Sequence, residues 1–183
     1  MRGFSPAQIA SELEKVIYFL HHHRIPYLLI GGMALSLWGR PRTTLDLDFM
    51  IQMDEENFGN IKRLFQKEKI RLDQKWMKWN PLLKGTRLRF RTGQVSVDLM
   101  RPRDGQDRQA FRRKRRRKLG NQFCFVVSPE DFVLQKLKVG RPRDFEDALS
   151  VLERMRGKLN EAYLRRWARK LGIGGELSYV TSL

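Results

Sequence analysis

Apolar side chains recur along this chain with two different periods, and the switches between them mark out its elements. Ile9, Leu13, Val16, Ile17 and Leu20 fall at helical spacing behind Ser5-Pro6-Ala7-Gln8. A serine N-cap, a first-turn proline and a glutamine at the capping-box position predict a helix over about residues 6–23. Pro26 closes that stretch, and Tyr27 to Ile30 is a short apolar run bounded by Gly31-Gly32, which reads as a buried strand. Met33 to Trp38 reads as a short helix, broken by Gly39-Arg40-Pro41. From Leu45 to Ile51 the period falls to two, apolar alternating with acidic, as a strand requires. Asp54-Glu55-Glu56 then places negative charge at the start of a helix whose stripe is Phe58, Ile61, Leu64 and Phe65 and which should reach about Lys69.

Two further β-like runs, Thr86 to Arg91 and Gln94 to Met100, flank Thr92-Gly93 as a hairpin would. After a basic segment, Phe123 to Val127 is another short strand, and Ser128-Pro129-Glu130-Asp131 repeats the start signal of the first helix, with Gly140 at its end. Phe145, Ala148, Leu149 and Leu152 mark a helix ending near Gly157, and Leu164, Trp167 and Leu171 a last one. The order is α-β-α-β-α-β-β followed mostly by helices, without repeats or long linkers. It predicts an α/β (α+β) fold, a mixed β-sheet flanked by helices, with a core over residues 1–127 and a C-terminal helical portion over 128–183 packed on it as one unit.

Composition narrows the function classes. At 183 residues the chain can bury a substantial core, and one cysteine, Cys124, with three adjacent histidines, His21 to His23, excludes an internal disulfide and zinc-finger spacing. No apolar run approaches the roughly 20 residues a membrane span needs, and the start has no signal-peptide pattern, so the expectation is a soluble cytoplasmic protein with no membrane partner. Lys and Arg number 37 against 20 acidic residues, a net charge of +17, which favours polyanionic partners. Ten of those bases, against two acids, fall between Arg101 and Lys118.

Three acids stand inside apolar strands: Asp46 and Asp48 in one, Asp98 in another. Side chains at i and i+2 share a face, so Asp46 and Asp48 point the same way, about 6.5 to 7 Å apart along the strand. If the Asp98 strand lies beside them, three carboxylates converge, a donor set for a hard cation such as Mg²⁺. Gly31-Gly32, between a strand and a helix start, exposes backbone amides to an anion such as a triphosphate. Taken singly, a Gly-Gly pair is ordinary turn chemistry and an Asp-x-Asp pair is an ordinary solvated strand face.

In combination they say more. Ile30-Gly31-Gly32, thirteen intervening residues, Asp46-Leu47-Asp48-Phe49 and the later Asp98 resemble the signature of the nucleotidyltransferase fold superfamily, the DNA polymerase beta-like group. Arg42-Thr43-Thr44-Leu45-Asp46-Leu47-Asp48 is similar to the form found in minimal bacterial nucleotidyltransferases of toxin-antitoxin and abortive-infection systems. Ser128-Pro129-Glu130-Asp131, Lys136-Leu137-Lys138 and Arg141 to Asp147 are similar to the helical part of that group, so the resemblance covers about residues 25–156. It implies transfer of a nucleoside monophosphate from an NTP to an acceptor hydroxyl with release of pyrophosphate. It further implies that Gly31 and Gly32 hold phosphates and that Asp46, Asp48 and Asp98 bind Mg²⁺ or Mn²⁺, Asp98 also helping to activate the acceptor. Lys136 then stands as a phosphate contact or a helix-surface lysine. Arg42 orients phosphate or pairs with a site carboxylate, and Thr44 joins the nucleotide site or only caps the strand. Asp144 and Asp147 read as helix-surface partners of Arg141 or Arg143.

For the acceptor, RNA and in particular a tRNA end leads, because Arg112, Arg113, Arg115 and Arg116 lie in a run of seven bases suited to a nucleic-acid backbone. The rivals are a small hydroxylated molecule, a hydroxyl on a toxin or antitoxin partner protein, and a non-catalytic fold that only binds nucleic acid. Trp76 and Trp79, flanked by lysines, offer base stacking, with at least one expected in the core. The three histidines read as polar residues at a helix C-terminus.

Overall fold

A computed structural model describes residues 6–53, 55–83 and 85–183, with the side chains of residues 6 and 55–59 outside the described set. The Ser5 cap, the Asp54 helix start and the place of Phe58 in its stripe therefore lie outside the described residues. The elements follow in the order α1 (Pro6–His22), β1 (Tyr27–Leu29), α2 (Gly31–Trp38), β2 (Asp46–Ile51), α3 (Glu55–Lys67), α4 (Gln74–Trp79), β3 (Arg87–Thr92), β4 (Val95–Met100) and α5 (Gly105–Arg112). Then come β5 (Arg115–Leu119), β6 (Gln122–Val126), α6 (Pro129–Val139), α7 (Pro142–Arg154), α8 (Glu161–Leu171) and α9 (Gly174–Ser182).

The strands form one mixed sheet in the order β3-β4-β2-β1-β6-β5. β2 is antiparallel to β1 and parallel to β4, and β3–β4 and β5–β6 are hairpins. Alternation divides the central strands between two faces. Phe90, Val97, Leu47, Phe49 and Tyr27 lie on one, buried under α1 and α3, where the Phe65 ring meets those of Phe90 at 4.9 Å and Phe19 at 5.6 Å between centroids. The opposite face carries Asp46, Asp48, Asp98 and Arg89.

The C-terminal helices join the same core, which runs from Ile9 of α1 to Val180 of α9. Ser128 caps α6 by accepting from the Asp131 amide, and Gly140 ends it at φ 71°, as its sequence signals require. Sheet and helices are also tied by polar contacts: Trp38 Nε1 donates to the Val127 carbonyl at 2.9 Å and Arg154 Nη1 to the Gly39 carbonyl at 2.6 Å.

Several elements depart from the sequence reading. α2 starts at Gly31, two residues before the expected Met33, so the glycines form its first turn. Part of the basic run is a strand: Arg115 to Lys118 pair with Phe123 to Val126 around Gly120, forming the exposed outer edge of the sheet, where four charged side chains keep their water. α4, α5 and α9 have no counterpart in the periodicity. The first two are short and start at the side-chain caps Asp73 and Asp104. No helix among the described residues is long and apolar enough to cross a membrane.

Candidate active site

Leu47 and Phe49 are fully buried on the core side of β2, which turns Asp46 and Asp48 to the other face. The parallel register sets Asp48 directly opposite Asp98 and Asp46 opposite Ser96, so the three carboxylates do lie together on one face of two neighbouring strands. Asp98 is buried and stands across the β3–β4 hairpin from Arg89. Arg89 Nε donates to Asp98 Oδ1 at 2.7 Å and Nη2 to Oδ2 at 2.8 Å, while Nη2 also lies 4.0 Å from Asp46 Oδ2. Arg87 Nη1 adds a longer contact to Asp98 Oδ2 at 3.6 Å. Arg89 escaped the sequence reading, although its alternation within β3 and the hairpin register carried the signal that it faces Asp98.

Asp48 has no such partner. Burial, and after it the charges of Asp98 and Asp46, push its carboxyl up to about 6, against a smaller downward pull from Arg87 and Lys136. The face thus carries more negative charge than its cations compensate.

Gly31 lies against Asp48. Its φ is +63°, and a Cβ there would overlap the Asp48 carboxylate, so only glycine lets helix and carboxylate meet. The Ile30 amide donates to the Asp48 carbonyl at 2.9 Å, which joins the start of α2 to β2, and no side chain caps that start. The partly positive end of α2 thereby adjoins the carboxylates. Gly32 has a packing reason of its own: a Cβ would stand 2.8 Å from Thr44 Cβ. Thr44 Oγ1 in turn donates to the Asp46 carbonyl at 3.0 Å, a local cap at the head of β2.

Behind this face lies a chain of ion pairs that corrects two sequence expectations. Asp144 and Asp147 are buried rather than on the helix surface. Lys136 Nζ donates to Asp144 Oδ1 at 2.9 Å and contacts Asp147 Oδ2 at 2.7 Å; Arg42 holds Asp147 through Nε and Nη2, both at 2.9 Å. Arg141, not Arg143, closes the chain on Asp144 at 2.6 Å. Burial pushes both carboxyls up, but these cations outweigh it and hold them below their ordinary range. Lys136 is therefore a buried, doubly paired cation rather than a surface lysine, and Arg42 pairs with a carboxylate.

No protein-family model and no curated protein matches the chain, whereas solved structures do at the level of fold. An antigenic nucleotidyltransferase-like protein from Paracoccidioides brasiliensis is similar over 98% of this chain and 94% of its own, at 16% identity and a TM-score of 0.60. The antibiotic-resistance factor ANT(2'')-Ia is similar over 96% and 98%, at 13% identity and a TM-score of 0.61. The lincosamide antibiotic adenylyltransferase LnuA is similar over 82% and 98%, at 10% identity and a TM-score of 0.54. The chain has the nucleotidyltransferase fold.

On this nucleotidyltransferase fold the donor set suits a hard divalent cation: carboxylate oxygens only, from two adjacent strands, with Asp48 pushed up by burial and then by its two acidic neighbours. Asp46, Asp48 and Asp98 are the residues that could hold one. Among the described residues no three His, Cys, Asp or Glu side chains are grouped closely enough for an ion, and both Asp98 oxygens are engaged by Arg89.

The basic segment divides in two. Arg113, expected to contact nucleic acid, is instead a structural cation: it pairs with Glu130 Oε2 at 2.9 Å and Asp131 Oδ2 at 3.2 Å, and its guanidinium covers the Tyr163 ring at 3.8 Å. Arg112, Arg115 and Arg116 are exposed, the last over Phe123 at 3.7 Å. β5 is separated from β2 by β1 and β6, so these bases flank the carboxylate face without joining it. Neither tryptophan enters the core: Trp79 is 75% exposed, and Trp76 is half-buried beneath Arg89, 4.7 Å from its centroid. His21 contacts the Tyr27 hydroxyl at 3.0 Å and His23 faces Glu68 at 3.7 Å, consistent with residues ending a helix.

Proposed function

We propose that this protein is a metal-dependent nucleotidyltransferase that moves a nucleoside monophosphate from an NTP to a hydroxyl of an acceptor RNA, a tRNA end first among them. The observation that carries the reading is the register that sets Asp48 opposite Asp98, with Asp46 two residues away and Gly31 against the Asp48 carboxylate. The acceptor oxygen forms a bond to the α-phosphorus, the bond from that phosphorus to the bridging oxygen breaks, and pyrophosphate leaves. Asp98 stands to take the proton of the acceptor hydroxyl. The helix end at Gly31-Gly32 holds the triphosphate by its amides. Asp46, Asp48 and Asp98 would hold Mg²⁺ or Mn²⁺, which would supply positive charge for the phosphates and lower the pKa of the attacking hydroxyl.

RNA as acceptor is supported by the net charge of +17 and by exposed Arg112, Arg115 and Arg116. A small hydroxylated molecule is the second reading, favoured by the likeness to a lincosamide antibiotic adenylyltransferase. Each labelled NTP is to be incubated with Mg²⁺ and either total RNA or a panel of lincosamides and other small hydroxylated molecules, with Asp48→Asn as control. Label in RNA, absent with the variant, supports the first reading; label in a small molecule alone replaces RNA by it; no label in any acceptor overturns both.

A further inference from the structure

We infer that Arg89 is an internal counter-cation of the carboxylate face, which keeps Asp98 closed to a free divalent cation and gives it up when metal and nucleotide arrive together. The inference rests on the metal-site reading above and concerns a residue which that reading leaves without a role.

Four observations carry it. Arg89 engages both oxygens of Asp98, at 2.7 and 2.8 Å, and the same guanidinium reaches to 4.0 Å from Asp46. It thus bridges two of the three carboxylates that would share an ion. A fork of this kind is the strongest form of side-chain ion pair, so a cation must displace it to use Asp98. Second, the arginine is placed to leave. β3 is the outermost strand of the sheet, and Arg89 lies on the face opposite the buried Phe90, with 18% of its side chain open to solvent.

Third, among the described residues the segment from Leu72 to Trp79 lies beyond β3: Leu72 bridges Phe90, the Asp73 amide donates to the Arg89 carbonyl at 2.8 Å, and Trp76 of α4 stacks on the guanidinium. α4 has six residues and buries none of them. Fourth, Asp98 is 2% exposed, so removing Arg89 without a replacement leaves a buried carboxylate with the longer contact to Arg87 at 3.6 Å as its compensation. A divalent cation is such a replacement. Alone it must also shed tightly held water, whereas with an NTP it brings a triphosphate on which the released guanidinium finds a new partner. Binding of metal and nucleotide is then mutually reinforcing, because both bias the same displacement of Arg89.

The test is direct binding of Mn²⁺, without turnover, followed by electron paramagnetic resonance of the free ion. Wild type, Arg89→Met, Arg89→Lys and Asp48→Asn are compared without nucleotide and with a non-hydrolysable NTP. Without nucleotide, Arg89→Met should bind Mn²⁺ at least tenfold more tightly than wild type, and Arg89→Lys, which keeps the charge but not the fork, by an intermediate factor. With nucleotide the gap should narrow. If Arg89→Met does not fold, the lysine variant carries the same comparison. Suppose Mn²⁺ binding depends on Asp48 and is tightened by nucleotide, yet neither Arg89 variant exceeds wild type without it: the counter-cation inference is then overturned and the metal site stands. Binding indifferent to Asp48→Asn in every condition overturns the metal site and the inference together.

Discussion

The tertiary structure changes the chemistry of the Asp48 carboxyl. Folded, it titrates near 6, raised by burial and by the neighbouring carboxylates, against an ordinary value of 3.8. A carboxyl with a raised folded pKa weighs against the fold once it is ionised, so its cost is complete above about pH 6 and gone below about pH 4, on the order of 3 kcal/mol in full. Asp48→Asn should therefore raise the melting temperature of the metal-free protein at pH 8, and that gain should fade as the pH is lowered toward 4. Thermal unfolding followed by circular dichroism at the two pH values checks the sign; an equal shift at both would show that charge is not the cause. The same variant should lose nucleotide transfer altogether. Gly31 belongs to the same scale. Gly31→Ala sets a Cβ against the Asp48 carboxylate at a positive φ, and it should lower both stability, by about 1 kcal/mol or more, and Mn²⁺ affinity. Gly32→Val is a poorer probe of phosphate approach, because its side chain meets Thr44 first.

Among the elements, the two hairpins separate function from support. β3–β4 carries Arg89 and Asp98 on one face and Phe90 and Val97 on the other, so the period-two pattern that makes the strands also sorts site from core. β5–β6 ends in an edge of four exposed bases. If that edge and Arg112 track an RNA backbone, replacing Arg112, Arg115 and Arg116 by Gln should flatten the slope of log affinity against log salt by roughly 2, at about 0.7 per lost contact with a single strand. Filter binding over a series of salt concentrations measures it, and an unchanged slope would remove this edge from the acceptor path. Arg113→Gln should behave differently. It strips the cation from Glu130 and Asp131, and its expected effect is a loss of stability on the order of 3 kcal/mol in urea unfolding, a loss the three surface variants do not share. From sequence the four arginines were indistinguishable; only the turn of the chain at Arg113 directs one inward.

At the scale of the whole molecule, the division into residues 1–127 and 128–183 is bridged by contacts that neither part can make alone. Arg42 reaches Asp147, Arg154 reaches the Gly39 carbonyl, and Gln106 Nε2 donates to Asp131 at 2.9 Å. A single cooperative transition is expected, with calorimetric and van't Hoff enthalpies in agreement; two resolved transitions would separate the helices from the sheet. Lys136→Met leaves Asp144 and Asp147 with their arginines only, and it should lower the temperature of that one transition rather than split it.

By itself the sequence determined the elements whose signals are local. Alternation around Leu47 and Phe49, the Ser128 cap, Gly140 and the 3.6 spacing of Ile9 to Leu20 depend on neighbours a few residues away, and the structure has them as read. The shared side of Asp46 and Asp48 follows from the same alternation. What only the tertiary structure decided is which distant segments meet: that β4 lies parallel beside β2 and brings Asp98 opposite Asp48, that Arg89 closes on both its oxygens, and that Asp144 and Asp147 turn inward to Lys136 and Arg42. Charged residues carry no periodicity that distinguishes a buried pair from a solvated one, because an ion pair is satisfied by a partner anywhere in the chain, and burial depends on the surface that packs over it.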